Sequence, residues 1–498
     1  MLGDKFQQPE FVDFYLPFGG KLKKDNRWVK LAEKVPWDVI EECYRESMTS
    51  TNMGAPSISS RIAYGALIIK ERLGVTDEET VEQLSESPYL QYFVGLREFQ
   101  DKPLFDTSMM VHFRSRFTQK HHQRINDEII KLATESGRDE KEDDSDSDDP
   151  PAPTGKLLVD ATCTPADITY PTDLKLLNEA REKTEQYIDE LYGHLKSVGK
   201  FQGMKPRTYR QKARKDYLNV AKLKKCPKRK RRASIRKQLS YLRRNLRHIQ
   251  AMVELQRNVL KRLGGYHYKC LLVIHTLYSQ QLHMYTHRTT EVAERIVSIS
   301  QPHVRPIVRG KASSTVEFGA KVSISVLAEG YVSVDTLSWD AYNETTDLIA
   351  QVESYKDRFG YYPESVHADK LYQSRANKNY CKEHGIRLSG KPMGRPKKRT
   401  QENSNELDAE ARQRRQDEID RIPVEGKFGN AKRKGTLQRI MAKLSQTSES
   451  VIHVGFVVLN LEKWLREDLW ALLRLLNIKR FQMLVCLLGP CSEQTYQA

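Results

Sequence analysis

The stretch KLLVD, residues 156–160, is a short apolar run with branched side chains that ends in a carboxylate. It reads as a buried strand. SVHAD, residues 365–369, repeats the pattern, so two aspartates are expected at the C-terminal ends of strands, where open sheets keep their crevices. Working outward, Arg295-Ile-Val-Ser-Ile299, Lys321-Val-Ser-Ile-Ser-Val-Leu327 and Tyr331-Val-Ser-Val-Asp335 read as further strands. Val322, Ile324 and Val326 alternate with polar neighbours, which suits adjacent antiparallel strands. Residues 343–359 predict a helix closed by Gly360. Residues 173–264 are helical in pattern, and Ile235, Leu239, Leu242, Leu246, Ile249 and Val253 recur at heptad spacing. That seam predicts a helical hairpin packed on itself with a basic outside. The fold class is α+β and multidomain, a mixed sheet flanked by helices.

The 498 residues suffice for about three domains at roughly 150 residues each. A hydrophobic fraction of 39% with 30% charged residues excludes a collagen-like, wholly disordered or membrane-embedded chain. The most apolar stretches, Val451 to Leu461 and Phe481 to Leu488, are shorter than the ~18 residues of a membrane span. The start, MLGDKFQQPEF, lacks the apolar core of a signal peptide. The seven cysteines are scattered without a CxxC pair, which supports neither a disulfide framework nor a thiolate zinc site. A reducing cytoplasm is expected.

The net charge of +17 is concentrated, because residues 205–247 hold 19 Lys or Arg and the single acid Asp216. Such a segment repels itself unless a polyanion neutralises it, so nucleic acid is the expected partner. Lys228, Arg229, Lys230, Arg231 and Arg232 are the densest run. Asp139 to Asp149 carries eight acids and one lysine, followed by Pro150, Pro151 and Pro153, and reads as a linker. Upstream, residues 59–73, Gly74 and the run from Asp77 predict two helices joined by a tight turn, a pattern shared by helix-turn-helix domains and by any small bundle. Residues 396–420 are polar and charged and expected to be partly mobile. A basic helix is expected from about Ile422, and the C-terminus is rich in Leu and Trp.

A third acid comes from RIPVEGKFGNAK, residues 421–432. At 100° per residue Glu425 and Lys432 share a helix face, and Pro423 in a first turn would leave Arg421 just outside the helix. Gly426 and Gly429 weaken that helix, so packing against the sheet must hold it. Glu317, Glu329 and Glu344 are rival third acids. His283 and His287 have the i, i+4 spacing of a metal pair but no accompanying ligand motif, and His367 and Trp339 are as readily core side chains as site residues. Gly394-Arg395-Pro396 is similar to a hook that lays Arg395 into a narrow minor groove.

These blocks resemble the bacterial insertion-sequence transposases of the insertion-sequence-five type. LLVDATCTPADITYPTDLKLLNEAR, QPHVRPIVRGKA, VEFGAKVSISV, SWDAYNE, HADKLYQSRANKNYC and RIPVEGKFGNAKRKG carry the likeness across most of residues 156–440. The resemblance implies a ribonuclease-H-like catalytic domain with Asp160, Asp369 and Glu425 as its DDE triad. It maps the Arg and Lys of the family's Y-x2-R-x3-E-x6-K signature onto Arg421 and Lys432, where they would hold phosphates. The Tyr falls on Glu418, a departure that touches DNA positioning more than metal binding. A second departure is architectural: the long basic helical insertion follows the first strand, whereas wider relatives often carry theirs between the second Asp and the Glu. The expected domains are an N-terminal helical DNA-binding region (1–137), the acidic linker (138–155), the catalytic domain (156–179 and 291–445), the basic insertion (180–290) and a C-terminal segment (446–498).

The implied chemistry is Mg²⁺-dependent cleavage and strand transfer. Extra negative charge develops on a phosphorus centre already ringed by anionic oxygens, so cations must intervene and carboxylates serve as hard ligands. Two Mg²⁺ are expected, with Mn²⁺ as a substitute and Asp160 as the bridging acid. The expected partners are terminal inverted repeats, target DNA and a second copy of the chain, with no membrane or small-molecule cofactor, in the nucleoid of the cytoplasm. The rival reading is a catalytically inactive or domesticated DNA-binding relative. A ribonuclease or junction nuclease of the same fold would share the metals but not the basic insertion.

Overall fold

The computed structural model describes residues 15–16, 20–48, 57–142, 155–308, 316–327, 329–390, 400, 403–433 and 435–488, with side chains left out at 137–142 and 470–488. The N-terminal region is helical: α1 (Arg27–Lys34), α2 (Trp37–Glu46), α3 (Ser60–Leu73), α4 (Asp77–Glu86), α5 (Pro88–Phe93), α6 (Met109–Arg116) and α7 (Gln119–Glu142). Gly74 ends α3 at φ 68°, and Thr76 caps α4 through a bond from the Glu79 amide, so the expected tight turn is present. Then come β1 (Lys156–Pro165), α8 (Asp173–Ser197), α9 (Arg210–Ala221), α10 (Lys228–Leu255) and α11 (Gly264–His287). The chain continues through β2 (Arg305–Val308), β3 (Val316–Val326), β4 (Val332–Ser338), α12 (Asp347–Phe359), β5 (Ser365–His367), α13 (Arg375–Glu383), β6 (Arg387–Leu388), α14 (Ser404–Arg433) and α15 (Ser445–Leu488).

The sheet is mixed, in the order β2-β3-β1-β5-β6, with β4 pairing β3 beside β2. β3 is antiparallel to β1, β2 and β4, whereas β5 is parallel to both β1 and β6. The chain is therefore α+β. One apolar core joins the N-terminal helices to the face of the sheet that α12 covers. A second fills the opposite face, where Leu158, Val322, Ile324 and Val326 meet Val424, Phe428 and Ala431 of α14 and Ile452 and Phe456 of α15. The edge of β4 is covered rather than open. Asn126 and Gln123 of α7 donate to the Val332 and Val334 carbonyls (3.0 and 3.1 Å), and Asn460 of α15 exchanges two bonds with Val332 (2.8 and 2.9 Å).

The region between β1 and β2 has its own core. Leu239, Leu242 and Ile249 of the heptad seam are buried against α8 and α11, while the basic side chains face outward, as the spacing predicted. Three local expectations need correction. Arg295 to Ile299 is not a strand: Ile296 and Ile299 are buried in the insertion core, and the Ile296 amide donates to Gln280 Oε1 instead of to a ladder. β1 runs on to Pro165, so Asp160 lies mid-strand. α14 begins at Ser404, so residues 404–420 are helical and Pro423 sits in the helix interior, not its first turn. Good helix formers and i, i+4 bonds such as Gln416 to Asp420 (2.8 Å) propagate the helix from upstream. Burial of Val424, Phe428 and Ala431 offsets the ~3 kcal/mol that an interior proline costs.

Candidate active site

β1 and β5 pair in parallel from Lys156↔Ser365 to Leu158↔His367. Asp160 and Asp369 each lie two residues beyond the last pair of that register, Asp160 still within β1 and Asp369 at the start of the turn that follows β5. β5 ends at His367, so the parallel partner of β1 is lost just where Asp160 stands. Asp160 is paired across β1/β3 with Ile324, so it shares the sheet face that carries α14. Its Oδ1 accepts from the Ala161 amide at 2.7 Å. Asp369 caps the short 3₁₀ turn Lys370–Tyr372, and its Oδ1 accepts from the Lys370 amide at 2.6 Å.

α14 supplies the third acid and both cations. Its buried residues Val424, Phe428 and Ala431 face the sheet and Lys432 reaches β1, while Glu425 is largely exposed. Arg421, an interior residue of the helix, lies between two acids: Nη1 is 3.7 Å from Asp369 Oδ1 and Nη2 is 3.6 Å from Glu425 Oε1. Lys432 Nζ donates to Thr162 Oγ1 (3.0 Å) and to the Cys163 carbonyl (2.7 Å), tying the end of the helix to β1 two residues beyond Asp160. Lys156 meets Asp420 at 2.7 Å on the same seam. Among the described residues, no group of three or more His, Cys, Asp or Glu stands ready to hold a metal ion. Asp369 and Glu425 face one guanidinium rather than each other.

His367 is fully buried and acts within the scaffold. It shares a 3.0 Å hydrogen bond with Ser365, and its Nδ1 lies 3.8 Å from Asp417 of α14. Burial pushes its pKa down, against the opposing pull of Asp417. Arg387 of β6 grips Asp417 with two bonds of 2.7 and 2.8 Å. Asp417 and Tyr372 were not singled out from sequence: the first lay in a stretch read as polar and partly mobile, and the second was not marked out within its block. Tyr372 is buried, and its pKa is raised by burial first and then by the charges of Glu344 and Asp160.

Of the rival acids, Glu344 pairs with Lys321 at 2.6 Å, and Glu317 lies on β3 opposite Ile307 of β2. Glu329 is exposed in the turn before β4. His283 and His287 stack on each other at 4.2 Å on the exposed side of α11, and Trp339 donates to Glu449 (2.8 Å) while packing edge-on against His303. In the basic run Lys228, Arg229, Lys230 and Arg231 are exposed. Arg232 is engaged, donating to the Tyr285 carbonyl at 2.8 Å and lying over the Tyr285 ring. Arg395 lies outside the described residues.

Residues 17–116, which span α1 to α6, match a family model described as a transposase domain (DUF772), and residues 366–462, from β5 into α15, match the transposase DDE domain. Both are transposase families. The likeness to insertion-sequence DDE transposases read from the sequence agrees with them. The DDE-domain match contains Asp369 and Glu425 and begins after Asp160. A curated relative, an uncharacterized protein named ORF8 in the nfe locus of Rhizobium meliloti, is 28% identical over 152 residues, which is 30% of this chain and 68% of that protein. No solved structure matches the chain. Among the described residues no helix is long and apolar enough to cross a membrane.

Proposed function

We propose that this protein is a DNA transposase that binds the terminal inverted repeats of an insertion sequence, cleaves beside them and joins the freed ends to target DNA. The observation that carries the reading is Arg421, a cation between Asp369 and Glu425 on the helix whose Lys432 is tied to β1 just beyond Asp160. The donor chemistry supports a divalent ion, since the candidates are hard carboxylate oxygens and Asp369 and Glu425 already attract a positive group, although the three acids are not gathered into a ready site. Asp160, Asp369 and Glu425 would hold two Mg²⁺, with Mn²⁺ as a substitute. When bound, the ions supply an activated attacking oxygen and stabilise the leaving one.

The chain's own residues do the rest. Arg421 can turn from the acids to grip a phosphate bidentately, and Lys432 places a point charge beside the same strand. Lys228 to Arg231, with the other exposed cations of α9 and α10, neutralise more distant phosphates. The mixed sheet flanked by helices supports a ribonuclease-H-like catalytic domain. The helical N-terminal region is read as the recognition domain and residues 180–290 as a DNA-holding insertion, whose packing on α8 argues for a start nearer Asp173. Two copies acting together, in the nucleoid, complete the proposal, since joining two ends needs two sites.

A supercoiled plasmid bearing the element's ends, incubated with the protein and Mg²⁺ or Mn²⁺, tests it. Nicking and strand transfer that need the metal are the expected result. Binding without cleavage would leave a DNA-binding relative that has lost its chemistry.

A further inference from the structure

The buried residues of α14 are Asp417, Val424, Phe428 and Ala431. At about 100° per residue they fall on one seam, within about 60° of each other around the helix. Val424, Phe428 and Ala431 are apolar and pack against the sheet. The fourth member is an aspartate, and among the described residues it is the one buried side chain of α14 before Pro423. The upstream half of the helix thus meets the sheet through a carboxylate at a seam position suited to an apolar residue.

That carboxylate is held from several sides. Arg387 Nη1 of β6 donates to both of its oxygens (2.7 and 2.8 Å), and Gln413 Nε2, one turn back on α14, donates to Oδ1 at 3.1 Å. Nδ1 of the buried His367 in β5 lies 3.8 Å from the same oxygen. An apolar side chain would also dock the helix, and such replacements of buried ion pairs are often neutral or stabilising, so docking alone does not call for an aspartate. A charged contact on an otherwise apolar seam instead penalises other registers, because sliding or rotating the helix leaves the carboxylate buried away from its partner.

What this register places is the candidate site. Arg421 follows one turn after Asp417, about 40° round the helix, and reaches Asp369, which lies two residues beyond His367. Pro423 stands between Asp417 and the anchors from Val424 to Lys432. It has no N–H to bond the Ile419 carbonyl, so the helix transmits position poorly across that point, and the half that carries Arg421 needs its own anchor. The Lys156–Asp420 pair (2.7 Å) is a second upstream tie, but its lysine is half exposed and such a pair constrains little. We propose that Asp417 is a positioning residue that sets the register of α14 on β5 and β6, and so places Arg421 between Asp369 and Glu425. Its part in the reaction rests on the transposase reading; the register does not.

Asp417→Leu and Asp417→Asn test this by urea unfolding, by Mg²⁺-dependent nicking of a supercoiled plasmid bearing the element's ends, and by crystal structures of the full chain. Asp417→Leu should keep or raise the urea midpoint, since Arg387 is 40% exposed and can turn to water. Its crystal structure should show Arg421 parted from Asp369, and its nicking rate should fall about 100-fold, the scale of an ångström-sized misplacement. A residue needed only for stability would lower the midpoint and leave the rate per folded molecule alone. Asp417→Asn, which keeps the shape and one acceptor, should lose less. Wild-type nicking by Asp417→Leu, or an Arg421–Asp369 pair unmoved in its crystals, overturns the proposal. Should Asp417→Leu not fold, a wild-type rate in Asp417→Asn overturns it and a reduced rate at an unchanged midpoint supports it. A wild type that never nicks removes the transposase reading and the part in the reaction, while the place of Arg421 in the variant crystals still decides the register.

Discussion

Replacing Arg421 by Gln removes the cation that lies between Asp369 and Glu425 and should tighten divalent-metal binding. The two ion pairs span 3.7 and 3.6 Å, and the side chains are 30%, 48% and 66% exposed for Arg421, Asp369 and Glu425. At that exposure the solvent dielectric is the appropriate scale, and each contact is worth about 1 kcal/mol. Freeing both carboxylates from the guanidinium then favours an incoming dication by about 1–2 kcal/mol, roughly 5- to 30-fold in affinity. Isothermal titration with Mn²⁺ at low ionic strength reads the change, and Arg421→Lys, which keeps the charge, should show a smaller gain. DNA affinity should move the other way, because a phosphate grip is lost. Metal affinity that falls or stays level in Arg421→Gln would refute the view that Arg421 holds a place a metal can take.

Lys432→Met should destabilise the fold by about 1–3 kcal/mol in urea unfolding, since it deletes the bonds to Thr162 and Cys163 that pin α14 to β1; no change in midpoint would show that those bonds are not formed in solution. Gly426→Ala should stabilise by about 0.5–1 kcal/mol, because a Cβ there meets nothing within 4 Å and glycine is a poor helix residue; a lower melting temperature would contradict the helix at this point. His122 and His453 stack at 5.5 Å in the buried junction of α7 and α15, with the pKa of His453 lowered to about 4 by burial, against the pull of Glu449, and that of His122 lowered by burial and by His453. The fold therefore favours their neutral forms, and stability should be lost as pH falls from the ordinary 6.5 toward about 4, at up to ~1.4 kcal/mol per pH unit for each histidine. His453→Gln should flatten that acid limb, and an unaltered pH profile would count against it.

The strands that begin at Lys156 and Ser365 were legible as short runs leading to an aspartate, although β1 runs on past Asp160 and β5 stops at His367, so neither ends at its acid. The pair β3 and β4 was legible by alternation. The length of β1 was not, since Thr162 and Thr164 are polar by type yet buried by pairing with β3. The 295–299 run failed for the opposite reason: its apolar residues are buried, but in the core of the insertion and with no strand beside them. The candidate acids were found by position and family likeness, and Arg421 was expected outside its helix because Pro423 is a standard start signal. Packing of Val424, Phe428 and Ala431 against the sheet overrides that signal and brings Arg421 to i, i+4 from Glu425.

On the proposed function, β1, the turn after β5 and α14 would contribute three carboxylates to one divalent-metal site on DNA. The most direct measurement is Mn²⁺ electron paramagnetic resonance on the protein bound to a DNA end, comparing wild type with Asp160→Asn, Asp369→Asn and Glu425→Gln. The account predicts bound Mn²⁺ in the wild type with the exchange signature of a close pair, weakened or abolished by each substitution. Bound Mn²⁺ that is indifferent to all three changes would contradict it.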